Sequence, residues 1–415
     1  MIETTTLPNG MRLVCQHRPS RVVYCGLAVD AGTRDELDTE SGMAHLIEHM
    51  SFKGTRHRRA IHIINRMEAV GGELNAYTSK EHTIYYCSTL RQHLRRALDL
   101  LFDITLQSTY PQHELDHERE VVIDEIESYN DSPSELIYDD FEALLFPRHP
   151  LGRNILGQAD ALRQYQTADL QRFVGRLYHP SRMVLFVLGD VTMKQLVKAT
   201  PSPIPEIQTH ATAMGDETRV AKDRAPYPQE GIGDRMVVRA KGTHQSHVVI
   251  GTRAYPMGDP RHTGLYLLNN LLGGPGMNSR LNLALRERRG LVYTVESSLT
   301  GYTDTGVWTT YFGCDHTDVA RCCRLVEQEL RRLTDAPLSA SALAAAKRQL
   351  KGQLALSWEQ GENVAIGMGR RMLHLGNTQT LADLYETIDS LTSQQLWDIA
   401  GEIFVPDRLL TLRYS

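Results

Sequence analysis

Leu170, Pro180 and Arg182 are matched by Leu396, Pro406 and Arg408, each pair 226 residues apart. In both stretches an amphipathic run leads to a proline and then to an apolar, β-rich segment. That order reads as helix, stop and strand. Nearer the start of each half, the apolar segment from Val22 resembles the one from Val248, and each is followed by a polar loop and a helical pattern. A spacing above two hundred residues is too long for a solenoid repeat and indicates duplication of a whole domain. Between the copies, Thr200-Pro-Ser-Pro-Ile-Pro-Glu and Pro226-Tyr-Pro-Gln-Glu-Gly punctuate a stretch with poor periodicity, the signature of a linker. The sequence therefore divides into a first domain over 1–195, a linker over 196–235 and a duplicated domain over 236–415.

Composition narrows the class. The 415 residues carry a formal net charge of −5, with 41% hydrophobic and 23% charged residues, an ordinary globular balance with ample material for a core. That balance argues against a broadly basic nucleic-acid surface. No apolar run approaches the ~20 residues of a membrane helix, and the first residues lack the basic and apolar regions of a secretory leader. No nucleic-acid or membrane partner is expected, and a cytoplasmic location is. The six cysteines form no C-x-x-C pair and read as buried free thiols.

Within the first half, residues 11–16, 22–30, 73–78 and 83–89 read as strands. Residues 42–52, 58–70, 91–106 and 113–129 read as helices, the first with Ser41 as a plausible N-cap and Gly54 as a stop. Strand pairs without intervening helices point to antiparallel or mixed sheets, hence an α+β fold.

The sharpest chemical motif is His45-Leu46-Ile47-Glu48-His49. On a helix, His45 and His49 project from one face, so two imidazoles can share a cation. Imidazole and carboxylate donors with a position left for water suit zinc, and H-x-x-E-H is the inverted zincin arrangement. A third ligand is required. On the acidic helix His113–Tyr129 the apolar stripe is Leu115, Val122, Ile126 and Tyr129, and Glu118 and Glu125 flank it on one side. Spacing alone leaves both open. The second half reads Tyr266-Leu-Leu-Asn-Asn270 where the first has His45 to His49, so one zinc per chain follows.

Several linked motifs then resemble the pitrilysin/insulinase family of zinc metallopeptidases, and within it the mitochondrial processing peptidase-like subgroup. Ser41-Gly-Met-Ala-His45-Leu-Ile-Glu48-His49-Met-Ser-Phe-Lys-Gly54-Thr is similar to its active-site helix. Gly71-Gly-Glu-Leu-Asn75-Ala76-Tyr77-Thr78 is similar to its substrate-binding edge strand. Glu118-Arg-Glu-Val-Val-Ile-Asp-Glu125-Ile resembles its third-ligand helix. The resemblance implies that Glu125 binds zinc with His45 and His49, that Glu118 is an auxiliary carboxylate, and that Glu48 is the general base. It also implies that Asn75 and Ala76 bind the substrate backbone.

In the second half, Gly273-Gly-Pro-Gly276-Met-Asn-Ser-Arg280-Leu resembles the family's glycine-rich loop. Arg286-Glu-Arg-Arg-Gly290-Leu-Val-Tyr293 resembles the segment whose arginine and tyrosine reach the active site. The family implies two α/β-roll domains per chain and, in short members, two chains facing each other as a clamshell around a closed chamber. With both the zinc set and the Arg286/Tyr293 pair intact, a homodimer acting on unfolded or presequence-like peptides is expected. A non-catalytic scaffold subunit would have lost ligands or Glu48. An obligate heterodimer would show poor activity alone, and a zinc-dependent binding protein would not need Glu48.

Overall fold

A computed structural model of the chain describes residues 2–202, 204 and 235–415. The predicted linker over 196–235 lies mostly outside these residues. The chain separates into two compact units, each built on one mixed sheet with helices packed against it.

The first unit takes in Met1–Ser128, His149–Val220 and Ser357–Thr380. Its strands are β1 (Ile2–Thr6), β2 (Arg12–His17), β3 (Val22–Val29), β4 (Glu73–Thr78), β5 (Thr83–Leu90) and β6 (Met183–Gly189), in the order β1-β2-β6-β3-β5-β4. Only β2 and β6 run parallel; the other neighbours are antiparallel. The helices up to Ala199 in chain order are α1 (Met43–Met50), α2 (Ala60–Glu68), α3 (Leu94–Leu106), α4 (Gln112–Asn130), α5 (Pro133–Leu145), α6 (Ala159–Leu162), α7 (Thr167–Leu177) and α8 (Met193–Ala199), of which α5 belongs to the second unit.

The central strands are apolar at nearly every position because both sheet faces are covered. Leu13, Cys15, Val23, Cys25, Leu27, Leu185 and Val187 point into a core shared with α1, α3 and α7. The alternate residues Val14, Ala28, Val184, Phe186 and Leu188 meet a helix from much later in the sequence, α12 (Gly361–Leu375), through Ala365, Met368, Met372 and Leu373. Period-two alternation thus feeds two cores at once.

The second unit takes in Tyr129–Arg148, Ala221–Leu356 and Leu381–Ser415. Its strands β7 (Met236–Arg239), β8 (Ser246–Ala254), β9 (Val292–Gly301), β10 (Gly306–Cys314) and β11 (Leu410–Tyr414) are ordered β7-β11-β8-β10-β9. This repeats the order of the first sheet without β1, again with one parallel pair, β7 and β11. The remaining helices are α9 (His262–Gly273), α10 (Val319–Thr334), α11 (Ala340–Trp358), α13 (Leu381–Ser390) and α14 (Ser393–Ile403). One sheet face packs on α9, α10 and α14, and the other receives α5. Helices α7 and α14 begin and end 226 residues apart, and each is followed by a short 3₁₀ turn and a strand. The residues that repeat at this offset thus fall in the same kinds of element. Five of the six cysteines are buried and all are free thiols.

Candidate metal centre

Helix α1 crosses beside the edge strand β4. Its apolar residues Met43, Ala44, Leu46, Ile47 and Met50 are buried, which fixes its rotation and turns His45, Glu48 and His49 to one side. The predicted cap at Ser41 is not the one used. The N-cap is Gly42, with φ 79°, and no side chain of that residue caps the helix. The acceptors come instead from Glu36, whose carboxylate receives the backbone N–H of Gly42 at 3.2 Å and of Ala44 at 3.0 Å. Gly42 is required twice over: the left-handed φ disfavours other residues, and a Cβ there would lie 2.6 Å from the Leu156 carbonyl oxygen.

Helix α4 brings the third candidate ligand, Glu125. The side-chain donors of His45, His49 and Glu125 lie within 4.8 Å of one another, the one such cluster among the described residues. Glu125 Oε2 is 3.9 Å from His45 Nε2 and 3.6 Å from His49 Nε2, and the two imidazole centroids are 4.6 Å apart. Ligand bonds of about 2.0–2.2 Å in a tetrahedral zinc site place donor atoms a little over 3 Å apart, so Glu125 is close to bonding range of a cation shared with each histidine. Half-exposed Glu125 forms the open side of the site, while the His45 side chain is 10% exposed.

The electrostatics favour a cation. Burial, with help from neighbouring His49, pulls His45 down to about 3, so its imidazole is neutral with a lone pair to offer. His45 Nδ1 is buried and has no hydrogen-bond partner among the described residues, so packing orients this ring. His49 is held differently. Its Nδ1 is 2.9 Å from Glu118 Oε1, which fixes the tautomer that leaves Nε2 toward Glu125. Burial alone would lower His49, but the Glu118 hydrogen bond and the surrounding carboxylates raise it. Glu118 is itself buried, which would raise it, yet His49 and Lys53, whose Nζ is 2.5 Å away, hold it below the usual range. Glu48 lies beside the cluster, raised by burial against the opposing pull of Thr78 and His49. Thr78 Oγ1 donates to Glu48 Oε2 at 2.6 Å.

Both carboxylates that helical spacing left open thus face the site: Glu125 among the candidate donor atoms, Glu118 behind His49. Asn75 and Ala76 lie on β4, the sheet edge. The Ala76 N–H is not in the ladder; it is taken at 2.8 Å by the Asn75 side-chain oxygen, so it points outward. Glu36, Lys53 and Thr78 were not read as part of the site. Lys53 and Thr78 sit inside recognised motifs, but contacts to Glu118 and Glu48 have no local sequence signal.

Arg286 and Tyr293 belong to the second unit, Arg286 in a short π-helical turn (Asn282–Glu287) and Tyr293 at the start of β9. Tyr293 is 84% exposed, which rules out a core aromatic. The Arg286 guanidinium carbon lies 5.7 Å from the Tyr293 ring centroid. Both line a recess of about 440 Å³ with Gly273, Gly276, Tyr266 and Asn270. Helix α9 follows β8 as α1 follows β3, but Asn269 and Asn270 replace the ligating face. Asn269 is spent within the core, accepting from Trp308 Nε1 and donating to the Ser297 carbonyl.

Comparison with known proteins agrees with this geometry. The family model described as Insulinase (Peptidase family M16) matches residues 12–159, and that described as Peptidase M16 inactive domain matches residues 165–350. The uncharacterized zinc protease YmxG of Bacillus subtilis is 31% identical over 99% of this chain and 98% of its own length. The beta subunit of the mitochondrial-processing peptidase of Rattus norvegicus is 30% identical over 96% of this chain and 81% of its own length. Among solved structures, a protease from Helicobacter pylori superposes with a TM-score of 0.89 over 100% of this chain and 99% of its own, at 23% identity, a likeness of fold.

Proposed function

The chain belongs to the insulinase (M16) family of zinc proteases, and from that premise we propose that it is a metalloendopeptidase that cleaves unfolded peptides. The observation that carries this reading is the convergence of His45, His49 and Glu125 with Glu48 beside them. When bound, zinc would lower the pKa of a coordinated water toward about 7 and supply a nucleophile at neutral pH.

The remaining work falls to the chain's own residues. Glu48, kept basic enough by burial, takes the water's proton and delivers one to the leaving amine. Glu118 orients His49. A substrate strand adds to β4, its carbonyl accepting the outward Ala76 N–H while Asn75 releases it. Such pairing reads extension rather than sequence, which selects unfolded or presequence-like segments. Arg286 and Tyr293 donate to the carbonyl oxygen as negative charge develops there. One zinc serves each chain. We take the pair to act from a second copy across a closed chamber, so that a homodimer carries two complete sites. Relation to a protein named as a subunit supports a second reading, in which full activity needs a different partner.

Hydrolysis of a quenched-fluorescent unfolded peptide by the zinc-loaded chain, beside Glu48→Gln, tests the proposal. Cleavage by the parent, with a loss of at least about a thousandfold in the variant at equal zinc content, is expected. A zinc-loaded parent that cleaves nothing overturns the self-sufficient peptidase. Mixing Glu48→Gln with Arg286→Ala chains tests the assembly: activity regained on mixing supports action across a dimer, and none regained refutes it.

A further inference from the structure

The Glu48 carboxylate must present one oxygen to the nucleophilic water and hold that oxygen still. A glutamate has three rotatable bonds before its carboxylate, so helix α1 alone does not fix it. The structure supplies the missing constraint from the neighbouring strand. Thr78 Oγ1 donates to Glu48 Oε2 at 2.6 Å, a short charge-assisted hydrogen bond. This anchors the carboxylate through Oε2.

Thr78 is itself pinned. Its branched Cβ restricts χ1. It is paired in register with buried Thr83 on β5, the next strand, whose hydroxyl donates to the Ala31 carbonyl at 3.0 Å. Thr78 also lies two residues from Ala76 on the edge strand, so its backbone shares the outward orientation of the Ala76 N–H. The strand that receives substrate backbone is thus the strand that holds the base.

We propose that Thr78 is a positioning residue that fixes the Glu48 carboxylate from the substrate-docking strand, so that docking and proton transfer share one rigid element. This rests on the peptidase reading of the same site, in which Glu48 is the base.

The test compares Thr78→Val, Thr78→Ala and Thr78→Ser in the full chain. Removal of the hydroxyl is expected to lower kcat by about 10- to 100-fold, the worth of a hydrogen bond to a charged group, with KM within about twofold. Zinc content and Tm should stay at parent values, and Thr78→Ser should recover kcat to within about threefold. In the Glu48→Gln background, Thr78→Val should cause no further loss, because Thr78 acts through Glu48. Thr78→Ala stands in should valine disturb the strand. Parent-like kcat in both valine and alanine variants overturns the proposal. So does an equal fold-loss in the Glu48→Gln background, or a loss matched by loss of zinc or of Tm. Crystal structures of parent and Thr78→Ala read the same point without turnover. The Glu48 carboxylate should leave its parent position, and an unmoved carboxylate overturns the proposal even if the parent proves inactive.

Discussion

Glu118 and Glu125 are seven residues, about two turns, apart on α4 and differ sharply in depth: Glu118 has 7% of its side chain exposed and Glu125 44%. Removing each should therefore fail differently. Glu125→Gln removes a proposed ligand and should abolish stoichiometric zinc binding. Glu118→Gln leaves the ligands but loosens His49, and zinc affinity should fall about 10- to 100-fold, read by competition with a chromophoric chelator. Glu36 offers a second prediction. Burial pushes its carboxyl up to about 8, against the pull of the Ala44 and Gly42 N–H groups and of Arg153. The folded chain thus keeps this proton up to about pH 8, whereas the unfolded chain releases it near 4.5. Its contribution to stability is full below pH 4.5 and is lost as pH rises through about 8. The Tm difference between parent and Glu36→Gln should accordingly move against the parent from pH 5 to 9, by differential scanning fluorimetry.

At the scale of elements, much was legible. The strand over 73–78 is where the pattern placed it, and helix 113–129 falls within α4. Alternation and 3.6-residue periodicity are local signals, and so is H-x-x-E-H. What was not legible is whatever depends on the approach of distant segments. The cap on α1 comes from Glu36 rather than Ser41 because the turn at Gly42 folds the earlier loop over the helix end. Helix 91–106 begins with a 3₁₀ turn over Arg91–His93 that periodicity does not distinguish. Strand β4 carries the element-scale prediction. Ala76→Pro deletes an N–H that the sheet does not use, so the fold should persist. Loss of that donor should lower kcat/KM by about tenfold or more, with Tm close to the parent value.

For the whole chain, treatment with a chelator should abolish hydrolysis, and added zinc should restore it, with one zinc per chain by elemental analysis. The sequence repeat shows as a 226-residue offset, yet the offset hides an exchange. Helix α5, encoded in the first half, packs in the second unit, and α12, encoded in the second half, packs in the first. The approach is close: a Cβ on Gly369 of α12 would lie 2.4 Å from the Phe186 ring, and Phe141 of α5 sits 2.9 Å from where Gly251 would carry one. Neither half of the gene therefore specifies a finished fold. Expressed alone, residues 1–204 would leave Val14, Ala28, Val184 and Phe186 bare, a sticky sheet face without its cover. The two fragments expressed together should instead find each other, each lending the helix the other lacks, and make this chain a natural candidate for split-protein complementation.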